Sequence, residues 1–191
     1  ISQSEELEIC GVGMNPSRIG ILSILRDMGA RIEVKNAREE SGEPIADLIV
    51  LPSKLSGVIL DGSIIPNIID EIPILSIAAA FAEGETIIRD AAELRVKESD
   101  RLRAISDGLL KLGVAHKNFD DGIKINGNTR LLDLPGPVEI NSFDDHRIAM
   151  SFLIAGLNCN QPITVLDCEN IFTSFPAFLE LTSSLGYNIE K

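Results

Sequence analysis

Three times in this chain a helix-like run stops at the same kind of step and turns into a strand-like run: Met28-Gly29-Ala30, Leu112-Gly113-Val114 and Leu185-Gly186-Tyr187. Glycine reaches the left-handed conformation that closes a helix without steric cost, so each step is read as a helix C-terminus. Two further stretches, Phe81 to Asp90 and Phe152 to Asp167, pair an apolar helix with a strand that ends in Asp. Repeated βαβαββ-type units would produce this order. Roughly 70 residues separate Gly113 from Gly186, more than the roughly 20–50 of a solenoid repeat, so a few large units around one core are expected. Alternating strands and helices also allow a doubly wound sheet. No glycine-rich nucleotide fingerprint follows the first strand to support it.

The rest of the chain reads as follows. Strands are expected over Leu7–Val12, Ala30–Val34, Asp47–Leu51, Gly57–Leu60, Glu85–Arg89, Ile123–Asn126, Val138–Ile140 and Ile163–Leu166. Asn15-Pro16 reads as a helix N-cap followed by proline, ahead of an apolar stripe at Ile19, Leu22, Leu25 and Met28. Ile72 to Phe81 is almost wholly apolar and predicts a helix buried on most sides. Ala37–Pro44, the stretch after Pro66, and Leu131–Pro137 read as loops. Ser174 is expected to cap a last helix, Phe175–Leu185.

Composition narrows the function classes. The 191 residues are 45% hydrophobic but only 4% aromatic, so the core is aliphatic. A net charge of −12 argues against a nucleic-acid surface, which needs clustered cations. It leaves room for a small anionic substrate in a locally positive cleft. Cys10, Cys159 and Cys168 have no metal-type spacing and read as buried thiols of a reducing compartment. No leader pattern opens the chain and no apolar run has membrane-spanning length, so a cytoplasmic protein is expected. A plastid form, its transit peptide removed, stays open.

The polar residues of interest cluster at helix starts: Asn15-Pro16-Ser17-Arg18, Asp70-Glu71, Lys97-Glu98-Ser99-Asp100-Arg101 and Asp144-Asp145-His146-Arg147. Ser99 is expected as an N-cap, with Arg101 projecting from the first turn, where free N–H groups and the helix dipole favour an anion. Simple capping by Asp70, Asp144 or Asp145, with Arg18, His146 and Arg147 solvated, satisfies the same spacing. His116 follows a helix stop and reads as a surface residue. If the repeated units pack in parallel, several helix starts face one place, which suits a phosphorylated carboxylate.

Arg95-Val96-Lys97-Glu98-Ser99-Asp100-Arg101-Leu102 resembles a signature of the 5-enolpyruvylshikimate 3-phosphate synthase family. So do Asp70-Glu71-Ile72-Pro73-Ile74-Leu75, Phe81-Ala82-Glu83-Gly84, Asp145-His146-Arg147-Ile148-Ala149-Met150 and Thr173-Ser174-Phe175-Pro176, in family order. The resemblance implies an α/β (α+β) fold of repeated βαβαββ units packed around buried helices. Residues 1–191 would form a single lobe of a two-lobed enolpyruvyl transferase, the C-terminal portion. The implied reaction passes the enolpyruvyl group of phosphoenolpyruvate to shikimate 3-phosphate and releases phosphate, with no cofactor or metal. Asp70 matches the acid/base aspartate at the attacking hydroxyl and Lys97 a shikimate 3-phosphate contact. Glu98 matches a proton carrier at the methylene carbon. Arg101 and Arg147 match arginines that hold phosphoenolpyruvate, with His146 beside them.

Thr173 stands where many members carry a lysine, and Glu93 where some carry an asparagine. The N-terminal lobe, with its serine-rich phosphate site and Lys-Ser segment, is not among these residues, so the segment is expected to fold but not to turn over alone. Two alternatives remain: an enolpyruvyl transferase acting on UDP-N-acetylglucosamine, and a non-catalytic anion-binding module.

Overall fold

The computed structural model describes residues 6–128 and 133–190. The complete repeat lies in the middle of the chain. It runs β4 (Ile59–Leu60), α3 (Ile72–Ala80), β5 (Gly84–Ile88), α4 (Arg101–Lys111), β6 (His116–Phe119), β7 (Gly122–Gly127). Its sheet has the order β4-β5-β7-β6, with β4 parallel to β5 and the other neighbours antiparallel. Before it, β1 (Leu7–Gly13), α1 (Gly20–Asp27), β2 (Arg31–Glu40) and β3 (Glu43–Leu51) form an antiparallel sheet ordered β1-β3-β2. That is the second half of the same unit. After it, β8 (Val138–Asn141), α5 (His146–Gly156) and β9 (Ile163–Leu166) repeat the parallel first half. Two short helices follow, α6 (Asn170–Ser174) and α7 (Phe178–Ser184).

The three glycine stops are one device used three times. Gly29, Gly113 and Gly186 have φ of 101°, 69° and 81°. The next residue in each case donates back five positions along the turn: Ala30 N to Leu25 O, Val114 N to Leu109 O, Tyr187 N to Thr182 O, at 2.8, 2.9 and 3.1 Å. This is the Schellman arrangement. Asp90 and Asp167, at the ends of β5 and β9, share a φ of 57°.

Helices α3, α4 and α5 pack on one another and on the sheets. Every residue of α3 except Ile74 is buried. A nine-residue helix with no polar face has no other stable place than an interior. No single helix among the described residues is long and apolar enough to cross a membrane.

Several boundaries differ from the sequence reading, each for a local reason. Asn15 Oδ1 accepts from Ser17 N at 3.1 Å, so Asn15-Pro16 makes a turn and α1 starts only at Gly20. Ala37–Pro44 is the tip of a β2–β3 hairpin, turned by Ser41 and Gly42 at φ 52° and 83°. Pro66 lies in the first turn of α2 (Ile65–Ile68), where its missing N–H has no partner to lose. Asp100, not Ser99, caps α4, accepting from Arg103 N at 3.0 Å. Ser174 ends α6 instead of capping α7. Residues 129–132, part of the expected Leu131–Pro137 turn, lie outside the described residues.

His116 is half-buried, with Nδ1 2.8 Å from Val114 O and Nε2 2.8 Å from Ser106 Oγ. The carbonyl can only accept, so Nδ1 donates to it and Nε2 accepts from the serine hydroxyl. Cys10 is exposed, while Cys159 and Cys168 are half-buried. Burial pushes the Cys159 thiol up to about 11.

Asp47, on the central strand of the first sheet, pins both flanking strands where they bulge. Its carboxylate accepts from Gly11 N and from Asn36 Nδ2, each at 2.8 Å, beside the irregularities at Ile9/Val12 and Lys35/Arg38. The Asn36 and Gly11 hydrogen bonds hold this carboxyl below its ordinary value. A depressed folded-state pKa contributes stability that is present above the unfolded value of about 4 and is lost as pH falls through the folded one. Asp47→Asn is therefore expected to flatten the fall of Tm between about pH 4 and pH 2. An unchanged acid slope in thermal melts would rule this out.

Candidate functional site

Three helix starts converge. Asp70 sits just before α3, Arg101 opens α4 and His146 opens α5. The α5 start is capped by Asp145, whose Oδ1 accepts from Arg147 N at 2.9 Å. Parallel strands β4/β5 and β8/β9 bring each following helix start to the same end of its sheet. Packing of α3 and α4 on α5 then joins the two units there.

Arg101 is the centre of the cluster and is fully buried. Its Nε donates to Asp145 Oδ2 at 2.7 Å, Nη1 to Asp70 Oδ1 at 3.0 Å and Nη2 to Glu98 Oε2 at 2.5 Å. The planar guanidinium suits this, since its donors leave in three directions of one plane. Arg147, with 28% of its side chain exposed, reaches Asp70 from the other side. Its Nη1 donates to Asp70 O at 2.9 Å, and Nη2 lies 3.6 Å from Asp70 Oδ2. Glu71 lies 3.6 Å from Arg147 Nη1.

Lys97 and Glu98 lie on the loop between a 3₁₀ turn, Ala92–Val96, and α4. Ser99 Oγ donates to Asp145 Oδ2 at 3.1 Å on one side of that loop. On the other, Arg95 donates to Asp120 O at 2.8 Å, to Phe119 O at 3.0 Å and to Asp100 Oδ2 at 3.1 Å. Lys97 Nζ donates to Glu93 Oε1 at 2.7 Å, and this bond raises the lysine pKa.

Burial pushes the Asp70 carboxyl up, but Arg147, Arg101 and Lys97 outweigh it and hold Asp70 below its ordinary value. Asp70 is thus a carboxylate near neutral pH, able to accept a proton and a hydrogen bond from a hydroxyl. Burial works against the Arg101 charge, and Asp145, Glu98 and Asp70 more than restore it.

The structure therefore gathers Asp70, Glu98, Arg101 and Arg147 into one contiguous network, with Lys97 close enough to act on Asp70. His146 is half-buried at the start of α5 and makes no hydrogen bond or ion pair among the described residues. Arg18 is exposed, and no bond among the described residues joins the Asn15–Arg18 turn to the network. Arg101 differs from the expected projection out of the first turn. It is fully buried and bonded to three carboxylates, because a cation between packed helices is costly unless anions lie against it. Glu98, half exposed, is the most accessible of the three carboxylates. Asp70 is no helix cap: α3 has no side-chain cap.

Two contributors were not identified from the sequence as anything but caps, Ser99 and Asp145. Their signal was present, an Asp and a Ser at helix starts, but capping accounts for it fully. Among the described residues no group of three or more His, Cys, Asp or Glu could hold a metal ion. A groove of about 660 Å³ runs along β9, lined by Leu153, Ile163, Val165, Phe172 and Leu179, and none of the charged network lines it.

Known proteins share this arrangement of the chain. A protein from Geobacter sulfurreducens described as 3-phosphoshikimate 1-carboxyvinyltransferase is 50% identical over 186 residues, covering 97% of this chain and 42% of that protein. One of the same description from Coxiella burnetii is 46% identical over 190 residues, covering all of this chain and 42% of its own length. A solved EPSP synthase from Acinetobacter baumannii superposes with a TM-score of 0.90 at 44% identity, over 96% of this chain and 42% of that one. The enolpyruvyl transferase NikO from Streptomyces tendae shares the fold, with a TM-score of 0.75 at 21% identity over 98% of this chain and 40% of that one. The chain thus spans 42% of the length of these carboxyvinyltransferase relatives. The model of the EPSP synthase (3-phosphoshikimate 1-carboxyvinyltransferase) family matches residues 1–181, and the chain belongs to that family.

Proposed function

We propose that the whole protein transfers the enolpyruvyl group of phosphoenolpyruvate to shikimate 3-phosphate, releasing phosphate. Residues 1–191 act in it as a single lobe that supplies part of the active site, and a further lobe supplies the rest. The relatives' names and their greater length support this reading. The observation that carries it is the convergence of Asp70, Glu98, Arg101 and Arg147 at three helix starts.

The chemistry follows from charge. The electrophilic carbon of phosphoenolpyruvate becomes reactive only when a proton is added to the neighbouring methylene carbon, which builds oxocarbenium character. Glu98, on a loop and half exposed, delivers that proton. Asp70 takes the proton from the attacking hydroxyl of shikimate 3-phosphate, and a C–O bond forms. Lys97 holds that substrate. Arg147 and Arg101 stabilise the carboxylate and phosphate oxygens, and His146 lines the same mouth. Phosphate then leaves as the C–O bond to it breaks, and the methylene carbon returns its proton to Glu98. This reading places the protein in the cytoplasm, acting on small anions and not on nucleic acid or membrane. No cofactor enters it.

Phosphate release by the full-length protein tests it. Turnover with phosphoenolpyruvate and shikimate 3-phosphate is expected, falling about 10²–10⁴-fold in Asp70→Asn. Acceptance of UDP-N-acetylglucosamine in place of shikimate 3-phosphate would overturn the reading. So would an unimpaired Asp70→Asn, or turnover by residues 1–191 alone.

A further inference from the structure

Asp145 takes no part in the chemistry above, yet four donors converge on it. Its carboxylate is completely buried. Oδ1 accepts from Arg147 N at 2.9 Å and from Ile148 N at 3.4 Å. Oδ2 accepts from Arg101 Nε at 2.7 Å and from Ser99 Oγ at 3.1 Å. Capping α5 needs Oδ1 alone, and a neutral serine or asparagine would serve there. A buried charge is expensive unless every lone pair is matched, so Oδ2 must answer a second requirement.

That requirement is geometric. Oδ2 crosses from the third unit to the middle one and meets the start of α4 and the loop before it. Anchoring a planar guanidinium at Nε sets the directions of both Nη atoms, here toward Asp70 and Glu98. Anchoring Ser99 fixes the residue that follows Glu98 and lies two beyond Lys97. Meanwhile Oδ1 orients the first turn that carries Arg147. We infer that Asp145 is a positioning residue: through its second carboxylate oxygen it holds Arg101 and the Lys97–Ser99 loop in register with Arg147. The kinetic part of this inference rests on the enolpyruvyl-transfer reading, and the spectroscopic part does not.

The test uses the full-length protein. In its 1H–15N spectrum the buried Arg101 Nε–H, bonded to a carboxylate, is expected as a slowly exchanging downfield correlation, assigned by its loss in Arg101→Lys. Asp145→Asn keeps an oxygen for the cap but sets an NH₂ donor against two donors. It is expected to remove or shift that correlation while the amide spectrum stays folded, and to lower kcat about 10²-fold, the loss that misplacement by about 1 Å brings. Ser99→Ala, which leaves the cap and the charge intact, is expected to lower kcat in the same direction by less. An Asp145→Asn protein with the correlation in place and kcat within threefold of the original would overturn the inference. If Asp145→Asn does not fold, Ser99→Ala decides: unchanged kcat and an unmoved Arg101 signal overturn it, and a lowered kcat upholds it. A wild-type protein that does not transfer enolpyruvyl groups would sink the functional reading, while the Arg101 signal would still decide the positioning role.

Discussion

Arg101→Met in the full-length protein is expected to lower folding stability by about 3–5 kcal/mol, read from equilibrium urea denaturation. The loss comes less from the arginine than from what it leaves behind. Asp145 is 0% exposed, and removing Arg101 strands its charge where water cannot enter. Asp70 and Glu98 are 36% and 53% exposed, so water relieves them and they add little. Arg101→Lys keeps a cation but offers a single ammonium where three carboxylates are reached in three directions. It is expected to recover most of the stability and little of the turnover. Should Arg101→Met unfold at the same urea concentration as the original, the buried network would not be a keystone of the fold.

The second large effect is expected between α4 and α5. Phe152 is 1% exposed, and Gly108 faces its ring so closely that a Cβ on residue 108 would lie 2.0 Å from Phe152 Cζ. In an isolated helix, alanine for glycine gains about 1 kcal/mol. Here Gly108→Ala is expected to destabilise by about 1–3 kcal/mol, because the buried ring has nowhere to go. Phe152→Ala removes a packed aromatic and is expected to cost about 3–5 kcal/mol. The double variant is expected to cost less than the two losses added, since the new methyl enters the space the ring left. Strict additivity in urea denaturation would mean that these residues do not meet.

The features legible from the letters alone are those with a local cause. Gly29, Gly113 and Gly186 announce helix ends because only a left-handed turn closes them cheaply, and each forms the same backbone bonds. The buried character of α3 follows from a run with no polar face. Resemblance to a family marks Asp70, Lys97, Glu98, Arg101 and Arg147, and all but Lys97, which bonds to Glu93, meet in one network. Readings that failed did so where a local pattern had two local answers. Polar residues 37–44 read as a loop, but an edge hairpin exposes the same residues. Pro66 marks a loop or a first helical turn equally well.

The sequence by itself determined the repeating order of strands, helices and glycine stops as far as Gly186, after which residues 187–190 form no strand, and which side chains carry the charge. These depend on backbone sterics and hydrophobic period, which act within a few residues. Tertiary structure alone decided that Arg101 is buried instead of projecting, that Asp145 serves two units at once, and that Gly108 is a necessity in its helix. Each of these depends on an atom supplied from 31 to 46 residues away, and burial is a property of what packs against a residue, not of the residue.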